Sequence, residues 1–324
     1  MKFFTILFLL LSAQFASFAQ NINKADLKIL LQKEDSLKAP AVKLIQGINP
    51  ADRFKADSNF TRILVRALAI RNSFYYPFDS LNTISRIYAP DSSFRIFTWQ
   101  MVINENIIRQ HGAIQMKTTD GSLKLFPLID KSDVTKNIAD TIGNNMGWMG
   151  AIYYKIILTK NQNHNYYTLL GYDENNIRSN KKVIEVLNFV DDKPVFGGHF
   201  FSIPGGSLVA HNPARYIMEY KKESAAKLNY DEEQGLIIAE HLVSETHEDQ
   251  KKWTYISDGD FQGFKWFNGK WVFIDNIRNY STHNPNTPLE KVIRDDKGEI
   301  DYNKLKGNGN EPDSTIKPIQ KKGQ

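Results

Sequence analysis

From residue 94 to residue 273 apolar and polar residues alternate with a period of two, interrupted by short runs of Gly, Asn and Asp. Successive side chains of a strand point to opposite faces, so this pattern specifies half-buried strands joined by tight turns. Phe94-Arg95-Ile96-Phe97-Thr98-Trp99 opens the series, and strands are predicted over 153–159, 166–171, 183–190 and 216–221. Residues 236–243 fit either a strand or a helical turn. Two dipeptides sharpen the prediction, because a type I′ hairpin turn needs positive φ at both central residues. Asp120-Gly121 predicts a hairpin with Thr118 facing Leu123 and Met116 facing Leu125, one face apolar and the other largely wet. Asn268-Gly269 predicts Trp266 opposite Trp271 and Phe264 opposite Phe273 on one shared face.

Ahead of the strands, residues 20–90 are predicted to be helical. Leu27, Leu30, Leu31 and Leu37 share a helical face, with Asn23 as N-cap and Asp26 three residues later. Phe60, Ile63, Leu64, Ala67 and Leu68 mark a second helix, capped by Asp57 or Ser58 and ending near Asn72. The stretch 281–324 holds few large apolar residues and is expected to be a polar tail, disordered from about residue 300. The expected fold is mainly β: an antiparallel meander over 91–280 forming a sandwich, open barrel or propeller-like array, with an N-terminal helical segment.

Residues 1–19 carry the marks of a signal peptide. Lys2 supplies the positive start, an apolar run follows from Phe3, and Ser17 and Ala19 give the small-x-small signature of cleavage before Gln20. The apolar run is shorter than the ~20 residues that span a bilayer, and no later stretch is long enough either. An exported, periplasmic or extracellular protein is expected, with no transmembrane segment in the mature chain. It contains no cysteine, so disulfides, thiolate metal sites and thiol nucleophiles are excluded and packing alone must hold the fold.

The chemistry is less legible. The net charge of +5 comes from basic and acidic residues mixed along the chain, which lacks the basic block of a nucleic-acid binder. The histidines, His111, His164, His199, His211, His241, His247 and His283, show no zinc-helix spacing, and no metal or cofactor is expected. Ser257-Asp258-Gly259-Asp260-Phe261-Gln262-Gly263 lacks the closing Glu of a calcium loop and is expected to be a turn feeding the last hairpin. The glycine pairs Gly197-Gly198 and Gly205-Gly206 match no phosphate cradle, and Ser207 sits in no nucleophile elbow. No catalytic residue is singled out. Trp253, Tyr255, Trp266 and Trp271 are candidate ligand-binding aromatics, against the competing account that such rings form the core.

The leader ending in Ala-Gln, together with Ser93-Phe94-Arg95-Ile96-Phe97-Thr98-Trp99, Leu169-Leu170-Gly171-Tyr172-Asp173 and Gly269-Lys270-Trp271-Val272-Phe273, resembles uncharacterised exported β-rich proteins of the Bacteroidota. The resemblance spans most of the mature chain and implies export and a β-rich fold. It brings no activity, cofactor or site residue with it. The expected function is a non-enzymatic envelope or periplasmic module that binds glycan or protein; the alternative is a hydrolase of envelope or imported polysaccharide, whose two carboxyl groups the sequence does not identify. Expressed with its leader in a bacterial host, the chain should yield a periplasmic product whose N-terminal sequencing begins at Gln20. Recovery of material starting at Met1 would refute cleavage.

Overall fold

Asn23 caps the first helix in this computed structural model, its side chain accepting the Asp26 amide at 2.8 Å. Residues 22–104, 106–204 and 212–277 are described; the leader, the tail beyond 277, and Gly205, Gly206, Ser207, His211 and His283 lie outside them. Helix α1 runs Lys24–Gln46 and α2 runs Pro50–Leu68. α1 buries Leu30, Leu37, Ala41 and Leu44, whereas Leu27 and Leu31 lie on its exposed side, so the expected four-leucine face is divided. Glu34 belongs to the buried stripe because Tyr76 Oη and the Ser80 amide donate to its carboxylate. α2 begins two turns earlier than expected. Pro50 has no N–H to leave unpaired in the first turn, so it starts a helix well. Asp57 thereby falls inside the helix, on the face of Phe60 and Leu64.

Fifteen strands are described: β1 (Ser85–Tyr88), β2 (Phe94–Asn104), β3 (Ile107–Met116), β4 (Lys124–Ile129), β5 (Gly143–Asn144), β6 (Ile152–Asn161), β7 (His164–Asp173), β8 (Ser179–Val190), β9 (Lys193–Phe196), β10 (Phe201–Ser202), β11 (Arg215–Lys221), β12 (Leu228–Asp231), β13 (Leu236–Ser244), β14 (Tyr255–Phe267) and β15 (Lys270–Ile274). The 236–243 ambiguity thus resolves as a strand, and β1 lies inside the stretch read as helical. Three sheets result, each built around a meander. Sheet I is β1-β2-β3-β4; sheet II is β5-β9-β8-β7-β6 with β11 also on β8; sheet III is β10-β15-β14-β13-β12. All strand pairs are antiparallel except β10 with β15.

The layers stack in chain order. Residues 97 and 99 of β2 pack on the helices with Phe60 and Leu64, while Phe94, Ile96 and Ile114 face sheet II and meet Tyr153, Tyr167 and Leu169. The opposite face of sheet II, with Leu170, Ile184 and Val186, packs on Ile237, Phe264 and Trp271 of sheet III. A sheet covered on both faces needs near-continuous apolar strands. Leu169-Leu170 and Val183-Ile184 are such runs.

The final hairpin forms as expected. Asn268 (φ 46°) and Gly269 (φ 78°) make the turn, Trp266 pairs with Trp271, and the two indoles meet edge to face at 5.3 Å. The Asp120-Gly121 hairpin does not keep its predicted register. Met116 pairs with Lys124, Gln115 with Leu125 and Ile114 with Phe126, one residue from expectation. Only Gly121 has positive φ, and Asp120 instead accepts the Ser122 amide with its side chain. The wider loop is tied down by two bonds, Asn72 N–H to Gly121 O and Arg71 Nε–H to Asp120 O. A one-residue slip exchanges the faces of a strand: Leu125 packs with the helix-side core and Phe126 with the sheet-II side, while Lys124, Pro127 and Ile129 stay exposed. Ser257–Gly263, expected as a turn, lies within β14 as a bulge: Glu240 and Leu242 pair with Phe261 and Ser257, and Gly259 takes φ 91°.

Two buried cations are accommodated differently. Arg95 donates to Tyr76 O, Ser73 O, Gln115 Oε1 and Tyr88 Oη, and its guanidinium lies 4.7–5.7 Å from four aromatic ring centres. Burial lowers its pKa to about 10, so it stays charged at neutral pH. Arg215 instead pairs with Glu185 at 3.0 Å, and Glu185 also accepts from Tyr153 Oη. Tyr153 Oη in turn accepts from Trp148 Nε1 at 2.7 Å.

Trp271 is fully buried and donates to Thr168 Oγ1 at 2.8 Å, whereas Trp253 is half-buried. Trp271→Ala should cost about 3–5 kcal/mol in urea denaturation, and Trp253→Ala about 1 kcal/mol or less. Equal losses would contradict the assignment of Trp271 to the core.

A cleft between the second helix and sheet I

The strand register fixes which side chains look toward the helices. Trp99 pairs with His111 and His111 with Ile129, forming one row across β2, β3 and β4; Arg109 and Pro127 lie on the same face. Opposite this row, α2 presents Asp57, Ser58, Thr61, Arg62, Val65 and Arg66, a stripe of i, i+4 and i+8 spacing. Ser58 and Thr61 are small and leave the space above the His111 row unfilled. The helix and sheet therefore leave a cleft of about 780 Å³.

Its inner end is polar and ordered. Asp57 Oδ1 accepts from Trp99 Nε1 and from His111 Nδ1, each at 2.9 Å. A carboxylate can only accept, so the proton sits on His111 Nδ1 and neutral His111 carries its lone pair on Nε2. Two further carboxylates line the cleft, and both are engaged. Asp130 accepts the amides of Gln110 and Ser132 at 3.0 and 2.8 Å; Asp133 pairs with Arg109. Val65, Ile129 and Val134 line its rim, Val134 being 70% exposed.

The four aromatic candidates do not converge. Tyr255 and Trp266 sit near opposite ends of β14, on the order of 35 Å apart at the strand rise. Arg178 stacks on Trp253 at 3.6 Å, and Lys252 lies over Tyr255 at 4.2 Å. Trp266 is half-buried and donates to Lys160 O, and Trp271 presents no surface at all. Among the described residues, no group of three or more His, Asp or Glu side chains is arranged to hold a metal ion. His241 Nδ1 lies 2.9 Å from Asp258, a contact that raises the imidazole pKa.

Sequence reasoning did not single out Asp57 or His111. The available signal was helical spacing: Asp57 precedes Phe60 by three residues and Leu64 by seven, so an acid occupies the apolar stripe and requires a buried partner. Comparison with protein-family models, curated proteins and solved structures found no match.

A smaller cavity of about 140 Å³ is bordered by Asp173, Lys181 and Arg215. Burial pushes the Asp173 carboxyl from 3.8 up to about 6, against the opposing pull of Lys181 and the Asn175 amide. Between those values the folded chain holds a proton that the unfolded chain has released. Stability therefore falls as pH rises from about 4 to 6. Asp173→Asn retains an acceptor for Gln110 and Asn175, and should raise stability at pH 7.5 by up to about 2 kcal/mol while changing little at pH 4. A midpoint gain of the same size at both pH values would show that ionisation of Asp173 is not the cause.

Proposed function

We propose that the chain is an exported, non-enzymatic binding module of the cell envelope and that its ligand site is the cleft between α2 and sheet I. The observation that carries this reading is a preformed cleft of about 780 Å³, within the size range of small-molecule sites, with mainly apolar walls and one positioned imidazole. Support for export comes from the leader and from the resemblance to exported Bacteroidota proteins. The aromatic residues are weak support for a glycan platform, because their faces are stacked, half-buried or enclosed. A binding role accords with the engagement of every carboxylate lining the cleft. A glycosidase would need one of them as acid and another as base or nucleophile.

One observation favours the alternative of a hydrolase: His111 is oriented by Asp57 as a general base is oriented in acyl-transfer enzymes. The two readings separate on His111→Ala. Under the binding reading, a ligand found by thermal-shift screening of the mature chain is returned chemically unchanged. Thr61→Trp, which fills the cleft from α2, should abolish its stabilising shift. Conversion of that ligand by the wild type, lost in His111→Ala, would replace binding with catalysis.

A further inference from the structure

The charges around the cleft are unequally compensated, and this asymmetry names a ligand class. Asp57, Asp130 and Asp133 are each satisfied within the protein, and Arg109 is spent on Asp133. Three cations remain. Arg62 reaches only the neutral side chain of Asn59, at 2.9 Å, while the side chains of Arg66 and Lys131 have no hydrogen-bond or ion-pair partner among the described residues. Arg62 and Arg66 are four residues apart on α2, so they stand on the same helical face. Two guanidinium groups side by side repel one another and are matched by an anion that can take both forks.

The remainder of the lining makes the opposite demand. Trp99 gives apolar surface at the closed end, and exposed Val65 and Ile129 continue it to the mouth. A free inorganic anion would leave that surface wet, and a neutral sugar would leave the cations unmatched. A hydrocarbon body with one negative end satisfies both.

We infer that the cleft takes an amphiphilic monocarboxylate, with the apolar body against Trp99, Val65 and Ile129 and the carboxylate at Arg62 and Arg66. This rests on the cleft being the binding site. Burying the body supplies affinity in proportion to the area removed from water, and the head group supplies selection.

The test is calorimetric titration of the mature chain with dodecanoate, dodecan-1-ol and maltohexaose, each below any micelle-forming concentration. The same titrations are run on Arg62→Ala/Arg66→Ala, Thr61→Trp and Ser58→Trp, each first shown to unfold cooperatively. The inference expects dodecanoate to bind at least tenfold more tightly than dodecan-1-ol and to lose at least tenfold in the arginine variant. Either cleft-filling variant should abolish binding of both. Raising salt should weaken dodecanoate and spare the alcohol. Equal affinity for acid and alcohol, or acid binding that survives loss of both arginines, overturns the carboxylate and leaves the cleft as the site. Maltohexaose binding that Thr61→Trp abolishes, without dodecanoate binding, has the same meaning. Binding that persists in both filled variants, or none by any of the three probes, overturns the inference together with the cleft reading.

Discussion

Sheet II is covered on both faces, by sheet I and by sheet III, and without any cysteine this double burial is what holds the stack together. A sheet so placed cannot leave a polar group unpaired without a cost comparable to a lost hydrogen bond. Glu185 sits on β8 in its middle, and its charge is met by Arg215 from β11 and Tyr153 from β6. Thr168, on β7, receives the indole N–H of Trp271 from sheet III, and the Tyr153 amide donates to Thr98 of sheet I. The same bonds that satisfy the middle layer also fix how its neighbours lie on it. Removing one partner of the Glu185–Arg215 pair would strand a buried charge, which is far costlier than never having had the pair.

The outermost layer is less completely packed, and that is where the cleft arises. Two helices cover the far face of sheet I, but α2 meets β3 and β4 with serine and threonine where a filled interface would carry leucine. Further along, Phe60 and Trp99 close the gap with ring centroids at 5.1 Å. The transition from packed to open occurs at Asp57, which holds Trp99 on one side and His111 on the other. A single carboxylate thus ends the core and begins the site.

Much of the architecture was legible because its signals are local. Positive φ at two consecutive residues is a demand that Asn268-Gly269 meets, and the Trp266–Trp271 pairing follows from that turn alone. Asp120-Gly121 carries the same signal but is governed by the end of α2, through Arg71 and Asn72, which no local pattern reveals. Arg95 marks another limit. Alternation assigns an arginine to solvent, yet this one lies among four aromatic rings, and its acceptors come from the assembled segment Ser73 to Tyr88 and from Gln115 across the sheet. The cleft was hidden for a related reason. Asp57 and His111 are 54 residues apart, and neither belongs to a motif; the strand register brings them together. Residue type alone does not distinguish an enclosed ring such as Trp271 from one stacked at the surface such as Trp253.

Pro127 joins the outer edge of sheet I to the cleft. It lies in β4, the last strand of that sheet, and its ring replaces an amide donor there. Many peptide-binding domains recruit partners by letting a guest backbone zip onto an open edge. An edge interrupted by proline offers such a guest an incomplete ladder. The neighbouring Ile129 already bonds Asn145 and Trp148 through its main chain, so strand addition gains little purchase along β4.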